Sequence, residues 1–295
     1  MQILDGKSTA LKIQLEIKEK LNKLILDGYK QPHLAAVLVG EDGASKAYVG
    51  NKVRSCERVG IKSTLIKLDS KTREKDLISE VDKLNNDKDI DGIIVQLPLP
   101  KHINESTITR SILPSKDVDG FHPYNIGKMN LGWPGFLPAT PLGILKLIDE
   151  YKIDTEGKHC VVVGRSNIVG SPMSILLARK SDPGNCTVTL CHSRTKDIVK
   201  YTKDADILIV ALGRPESITG DMVKDGVVVI DVGISRVEDA TAKRGYRLKG
   251  DVHFESVSSK SSYITPVPGG VGPMTVTALL LNTLDAAIEK GVLVS

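Results

Sequence analysis

Aromatic residues are scarce in this 295-residue chain, with one Trp, seven Tyr and three Phe. Nucleic-acid binding calls for aromatics interleaved with a basic block. Here the 40 Lys and Arg are dispersed among 36 Asp and Glu for a net charge of +4, so nucleic acid is a poor partner. A modestly basic surface suits small anionic ligands, while most single lysines read as a solvated face. Cysteines are few as well: Cys56, Cys160, Cys186 and Cys191 form no CxxC pair and have no histidine at zinc-finger spacing. No metal site and no disulfide framework are expected, and the four read as buried thiols. Long hydrophobic runs are missing, since no stretch approaches 18 uninterrupted apolar residues. The amino terminus MQILDGK carries Asp5 and Lys7 where a signal peptide needs an apolar core. These features predict a cytoplasmic protein without membrane contact.

What is present is ordinary globular composition, 41% hydrophobic and 26% charged, with no low-complexity tract and no clear internal repeat. The length favours two α/β domains over one. A helix is predicted over 8–27, where Leu11, Leu15, Leu21 and Leu24 fall at helical spacings. Strands are predicted over 34–39, 63–68 and 91–96, with helices over 44–59 and 72–87 between them. Such alternation predicts parallel strands joined by crossover helices. From 114 to 140 the chain is rich in proline and glycine without periodicity; it reads as a loop closing over a ligand or as a plain linker. A helix follows from Thr140-Pro141. A second βα series has strands at 159–164, 186–191, 206–210 and 226–231 and a helix from about 171. An apolar helix over 273–290 ends the chain, and periodicity does not say which domain it joins.

Several segments carry chemistry. In VVVGRSNIVGSP (161–172), Gly164 ends a strand and Gly170 precedes a helix start at Ser171-Pro172. Glycines let the backbone approach a pyrophosphate, and the helix start attracts its charge. The spacing is not GxGxxG, and an ordinary strand-to-helix turn is the plain alternative. The next strand ends Cys191-His192-Ser193-Arg194, without the carboxylate that would bind the ribose of NAD. Arg165, Ser193 and Arg194 can hold a 2′-phosphate instead, which favours NADP. Tyr48 and Lys52 share one helix face, as a functional pair or as a surface pair. Gln96 ends a strand before Leu97-Pro98-Leu99-Pro100, where it faces a ligand or satisfies loop backbone. Asp119 in KDVDG is a turn residue or a ligand contact.

Taken together these segments resemble the bifunctional methylenetetrahydrofolate dehydrogenase/methenyltetrahydrofolate cyclohydrolases of one-carbon metabolism. The likeness rests on YVGNK (48–52), VQLPLP (95–100), KDVDG (116–120), PATP (138–141), VVVGRSNIVGSP, CHSRT (191–195), GDV (250–252) and ITPVPGGVGPMT (264–275), in that order. It implies an α/β fold of two domains with a folate cleft between them. One is a parallel-sheet catalytic domain, 1–140 plus 270–295; the other is a Rossmann-like NADP domain, 141–269. It also implies that Lys52 is the catalytic lysine of the cyclohydrolase, that Gln96 orients it, that Tyr48 stacks on the folate and that Asp119 holds the pterin. Pro268, Gly269, Gly270, Val271, Gly272 and Pro273 would line the folate site. The NADP contacts would be Gly164, Arg165, Ser166, Ile168, Val169, Gly170, Ser193, Arg194 and Ile234. A homodimer acting on tetrahydrofolate derivatives is implied as well. Two departures stand out: Ala139 replaces a frequent cysteine, and 178–186 is longer than in short members. Neither removes a group that the chemistry needs.

Hydride loss from a methylene bridge is driven by the adjacent nitrogen lone pair, so that step needs orientation and no base. Hydrolysis of the methenyl cation moves protons, and a lysine partly buried beside Tyr48 and Gln96 can serve there as acid and base. Short-chain dehydrogenases also use Tyr-x-x-x-Lys, but there the pair follows the dinucleotide site, whereas here it precedes Gly164. The remaining rivals are a two-domain shikimate-like or amino-acid-like dehydrogenase and a binding module without turnover. The latter would be marked by loss of Lys52 or Gln96, and both are present.

Overall fold

The structure, a computed structural model, describes residues 1–242 and 245–290, apart from the side chains of Ala44 and Lys290. In chain order the elements are β1 (Gln2–Ile3), α1 (Gly6–Leu26), β2 (His33–Val39), α2 (Gly43–Val59), β3 (Lys62–Leu68), α3 (Glu74–Asn86), β4 (Gly92–Val95), α4 (Glu105–Ser111) and α5 (Pro123–Leu131). They continue with α6 (Ala139–Glu150), β5 (His159–Val163), α7 (Gly170–Ala178), β6 (Thr187–Cys191), α8 (Ile198–Thr202), β7 (Ile207–Val210), β8 (Val228–Asp231), β9 (Ser235–Glu238), β10 (Tyr246–Lys249), α9 (Phe254–Ser258), β11 (Tyr263–Ile264) and α10 (Val271–Lys290).

The chain divides into two compact units, one of residues 11–139 with 276–295, the other of residues 1–10 with 140–275. In the first, β3-β2-β4 form a parallel sheet. Strand β2, HLAAVLV, is buried along its whole length, as a central strand covered on both faces must be. Its core joins Val37, Leu77, Val81, Ile93, Val95 and Ile108. In the second, six parallel strands run in the order β1-β11-β8-β7-β5-β6, around a core that includes Val161, Val163, Leu208, Val210 and Val229. The two-domain α/β fold expected from the alternation is thus present.

The units divide differently from the expected boundaries. Residues 1–10 and 270–275 group with the six-stranded sheet, the former through β1, which pairs in parallel with β11 (Gln2 with Tyr263, Ile3 with Ile264). Residues 291–295 of the expected carboxyl-terminal segment lie outside the described residues. The stretch 114–140 is not wholly irregular, since α5 forms within it. His122 caps that helix by accepting from Tyr124 N–H, Pro123 stands at its first turn, and Gly132 ends it. In α1 the buried stripe is Ala10, Ile13, Ile17 and Leu21, whereas Leu11 and Leu15 are exposed. Helix α10 is, among the described residues, the one long and apolar enough to cross a membrane, over Val271–Glu289; it is 67% buried inside the protein.

An internal likeness missed by sequence comparison sits at the amino ends of both sheets. His33 opens β2: its N–H is accepted by Asp91, its Nδ1 lies 2.8 Å from Asp89, and its Nε2 lies 2.8 Å from Thr64 on β3. His159 opens β5 in the same way, with its N–H on Asp206, Nδ1 3.0 Å from the Asp204 carboxylate and Nε2 2.9 Å from Thr189 on β6. Lys30 pairs with Asp91 as Lys224 pairs with Asp206. The histidine and the second aspartate are 58 residues apart in one copy and 47 in the other, so no fixed period exists to detect.

Candidate active site

Helix α2 positions the first group of site residues. Asp42 caps its start by accepting from Ser45 N–H, and Gly60, at φ 88°, closes its end. Tyr48 and Lys52 then project one turn apart. Lys52 is only 4% exposed, its Nζ 3.2 Å from Gln96 Oε1 and 5.6 Å from the centroid of the Tyr48 ring. Among the described residues no carboxylate pairs with this ammonium group. Gln96 follows β4 and extends its ladder, its N–H donating to Val37 O, before the cis Leu97–Pro98 bond ends the strand. The Gln96 amide NH₂ donates to Leu97 O at 2.7 Å, which turns Oε1 toward the lysine. One turn beyond Lys52, burial pushes the Cys56 thiol up to about 12, with the Lys52 charge acting the other way. The expected trio of Tyr48, Lys52 and Gln96 is therefore brought together, with a buried cation held by a neutral acceptor and an aromatic face.

Asp119 lies half-buried in a crevice with Ile93, Val95, Leu97, Asp117 and Phe121. Its backbone is fixed from both sides: Asp119 O accepts from Ala139 N–H, and the Asn282 amide donates to Val118 O and Leu137 O. Asp117, two residues earlier, accepts from Phe121 N–H, His122 N–H and the Asn125 amide, and burial raises its pKa above the ordinary value. Neither Asp117 nor Asn282 was expected. The Asp-x-Asp-Gly pattern was a signal for the first; nothing in sequence links Asn282 to a loop more than a hundred residues away.

The second group stands at the carboxyl ends of adjacent parallel strands. After β5, Gly164 has φ 119°, and a Cβ there would come 2.2 Å from Ala211 O. A Cβ on Gly170 would come 1.9 Å from Gly164 O, so only glycine lets the turn close onto the start of α7. Between them Arg165, Ser166, Asn167 and Ile168 are exposed. Ser166 Oγ accepts from the N–H groups of Val169 and Gly170, and Val169 itself is buried. Strand β6 pairs with β5, Cys191 opposite Val163, and sets exposed Ser193 and Arg194 beside that turn. Among the described residues neither Arg165 nor Arg194 has an ion-pair partner, and no carboxylate ends β6. Ile234, 54% exposed, follows β8. A glycine-lined turn with two uncommitted guanidinium groups fits a phosphorylated dinucleotide. Pro268, Gly269, Gly270, Val271, Gly272 and Pro273 lead into and begin α10 within this same unit, whereas Tyr48, Lys52, Gln96 and Asp119 belong to the other.

Comparison with known proteins shows the family to which the chain belongs. Residues 4–119 match the catalytic domain of the tetrahydrofolate dehydrogenase/cyclohydrolase family, and residues 138–291 its NAD(P)-binding domain. The bifunctional protein FolD of Cytophaga hutchinsonii is 60% identical, over 98% of this chain and 100% of its own length. The crystal structure of the FolD enzyme of Campylobacter jejuni is 49% identical with a TM-score of 0.92, covering 98% of this chain and 99% of that one. The Trypanosoma brucei enzyme, complexed with NADP and an inhibitor, is 35% identical with a TM-score of 0.92, each chain being 97% covered. The chain belongs to the tetrahydrofolate dehydrogenase/cyclohydrolase family and is a bifunctional enzyme of that family.

Proposed function

We propose that this enzyme oxidises 5,10-methylenetetrahydrofolate to the 5,10-methenyl compound with NADP and then hydrolyses that product to 10-formyltetrahydrofolate, with Lys52 as the proton-transfer group of the second step. The observation that carries this reading is a lysine 4% exposed, without a carboxylate partner among the described residues, and held by Gln96 beside Tyr48. A buried amine of this kind can release and recover a proton as water adds to the methenyl carbon and the ring opens. Gln96 keeps its oxygen toward Nζ and so acts as a positioning residue, Tyr48 offers a face for the folate ring, and Asp119 accepts from the pterin.

NADP, when bound, supplies the hydride acceptor. The turn from Gly164 to Gly170 would receive its pyrophosphate, with Ile168, Val169 and Ile234 around it. Arg165, Ser193 and Arg194 would hold the 2′-phosphate, and Ser166 closes the α7 end. No side chain has to remove a proton in the hydride step, so the chain's task there is orientation. The segment from Pro268 to Pro273 is assigned to the folate. The same reading makes the enzyme a cytoplasmic homodimer.

The experiment follows methenyl absorbance in purified protein supplied with methylenetetrahydrofolate and NADP. A rise followed by decay is expected. A rise without decay would remove the cyclohydrolase, and no rise with either NADP or NAD would remove the dehydrogenase. Sedimentation equilibrium tests the dimer.

A further inference from the structure

The GDV segment at 250–252 takes no part in the hydride and proton steps, yet it places a carboxylate with no solvent exposure among backbone donors. Asp251 Oδ2 accepts from Leu212 N–H at 2.6 Å and from Gly213 N–H at 2.8 Å. Asp231, which ends β8 and is 3% exposed, accepts from Gly233 N–H and Asp251 N–H on Oδ1 and from Val252 N–H on Oδ2, all within 3.0 Å. Among the described residues no lysine, arginine or histidine pairs with either acid. Both are held by backbone alone, through bonds that a charged acceptor strengthens. Close approach is possible because two neighbours lack side chains: a Cβ on Gly233 would stand 2.4 Å from Asp251 Oδ1, and one on Gly250 1.9 Å from Asp231 Oδ2.

The turns so held are those next to the nucleotide residues. The sheet order β8-β7-β5-β6 puts residues 211–213, after β7, and 232–234, after β8, at the same carboxyl ends as the Gly164 turn. Ala211 O is the atom that a Cβ on Gly164 would strike, and Ile234 rides on the second turn. Among the described residues Asp251 Oδ1 is buried without a hydrogen-bond partner. Such orphaned atoms are rare and need a reason; here the reason is that the carboxyl group is aimed by the two bonds its other oxygen makes.

We propose that Asp231 and Asp251 are positioning residues of the coenzyme site, holding the turns 211–213 and 232–234 so that their loss weakens NADP binding and leaves the proton chemistry of Lys52 in place. This inference rests on the assignment of the nucleotide to the Gly164 turn. Asp251→Asn is the conservative variant, since its amide oxygen can keep both bonds to Leu212 N–H and Gly213 N–H, whereas Asp251→Ala frees both donors.

The test is calorimetric titration of NADP into the full-length wild type, Asp251→Ala, Asp251→Asn and Ser193→Asp, with circular dichroism on each. Asp251→Ala should raise Kd at least about tenfold and Asp251→Asn by no more than about threefold, on the loss of two bonds against none. KM for NADP should rise with Kd, and hydrolysis of added methenyltetrahydrofolate, which needs no coenzyme, should continue at the wild-type rate. A folded Asp251→Ala with wild-type Kd, beside a weakened Ser193→Asp, overturns the positioning role and leaves the nucleotide site standing. Wild-type Kd in both overturns the site assignment itself. Should Asp251→Ala not fold, hydrogen exchange on the wild type decides. The amides of Leu212 and Gly213 should be protected in the free enzyme and gain protection with NADP; unprotected amides, or protection indifferent to NADP, overturn the proposal.

Discussion

Lys52 Nζ lies 3.2 Å from Gln96 Oε1, and the Gln96 amide donates its own N–H to Leu97 O, so the acceptor facing the ammonium group is fixed in direction by the strand end that carries it. The pair joins α2 to the end of β4 within one compact unit. Among the described residues no carboxylate pairs with Lys52, so the partner that orients its ammonium group is neutral.

Replacing Lys52 with Met keeps most of the aliphatic stem beside Tyr48 and deletes the proposed proton-transfer group. Cyclohydrolase activity should fall about 10²–10⁴-fold, the usual worth of general acid–base help. The hydride step needs no base, so dehydrogenase turnover should remain measurable and methenyltetrahydrofolate should accumulate. A folded mutant that hydrolyses the methenyl compound at the wild-type rate would remove Lys52 from the mechanism.

Coenzyme choice should respond to charge at the end of β6. Ser193 and Arg194 are exposed there beside Arg165, with no carboxylate to accept from a ribose hydroxyl. Ser193→Asp introduces that acceptor and repels a 2′-phosphate, so kcat/KM for NADP should drop and the ratio to NAD should move toward NAD. Equal use of both coenzymes by the wild type would contradict the assignment.

The contact proposed for Asp119 is with the pterin of the substrate shared by both reactions, so both should suffer when its carboxylate is lost. Asp119→Ala leaves pterin donors unpaired in a shielded crevice, a loss of about 1–3 kcal/mol in kcat/KM for each activity. Normal KM and rates would return Asp119 to a turn residue.

The thiols should be silent in the native protein. All four cysteines are free and buried. Burial pushes Cys56 up to about 12 and Cys186 up to about 11, and raises Cys160 and Cys191 as well. Thiolate is the reactive form, so an aromatic disulfide reagent at pH 8 should titrate four groups only in denaturant. Rapid reaction of any thiol in the folded enzyme would show an accessible site.

Much of this was legible because hydrophobic alternation sets strands and helices locally. Strand β2, predicted over 34–39, spans His33–Val39, and α2, predicted over 44–59, spans Gly43–Val59. Tyr48, Lys52 and Gln96 were legible for the same reason: helical spacing joins the first two, and the prolines after Gln96 mark where its strand must end. What escaped depends on long-range pairing. Strands β1 and β11 are two residues each and exist by pairing across the chain, Gln2 with Tyr263, which no local pattern announces. Asn282, Asp231 and Asp251 act on backbone groups of distant segments, so their types alone say nothing about their targets. The spacing of Leu11 and Leu15 identified the helix over 8–27 without choosing its buried face, which Ile13 and Ile17 occupy.

Asp231 should also leave a mark on stability. Burial is the largest influence on its carboxyl group and pushes it from 3.8 up to about 6, against the three backbone N–H groups that favour the charged form. A folded-state value above the unfolded one means that the folded protein binds more protons between those two values. The group's contribution is therefore fully favourable below about pH 4 and is lost as pH rises through 6. A shift of this size corresponds to about 3 kcal/mol. Asp89 works in the opposite sense and in another window: Lys62 and His33 hold it at about 2, so its contribution is present above pH 4 and lost only in stronger acid. Between pH 4 and 7 the Asp231 term can thus be read separately by comparing wild type with Asp231→Asn, which cannot ionise. Urea unfolding at intervals across that range should show wild type losing stability relative to the mutant as pH rises, with the change centred between pH 4 and 6 and flat above about 7. A difference that stays constant from pH 4 to 7 would mean that Asp231 ionises in the folded enzyme as readily as in the unfolded chain.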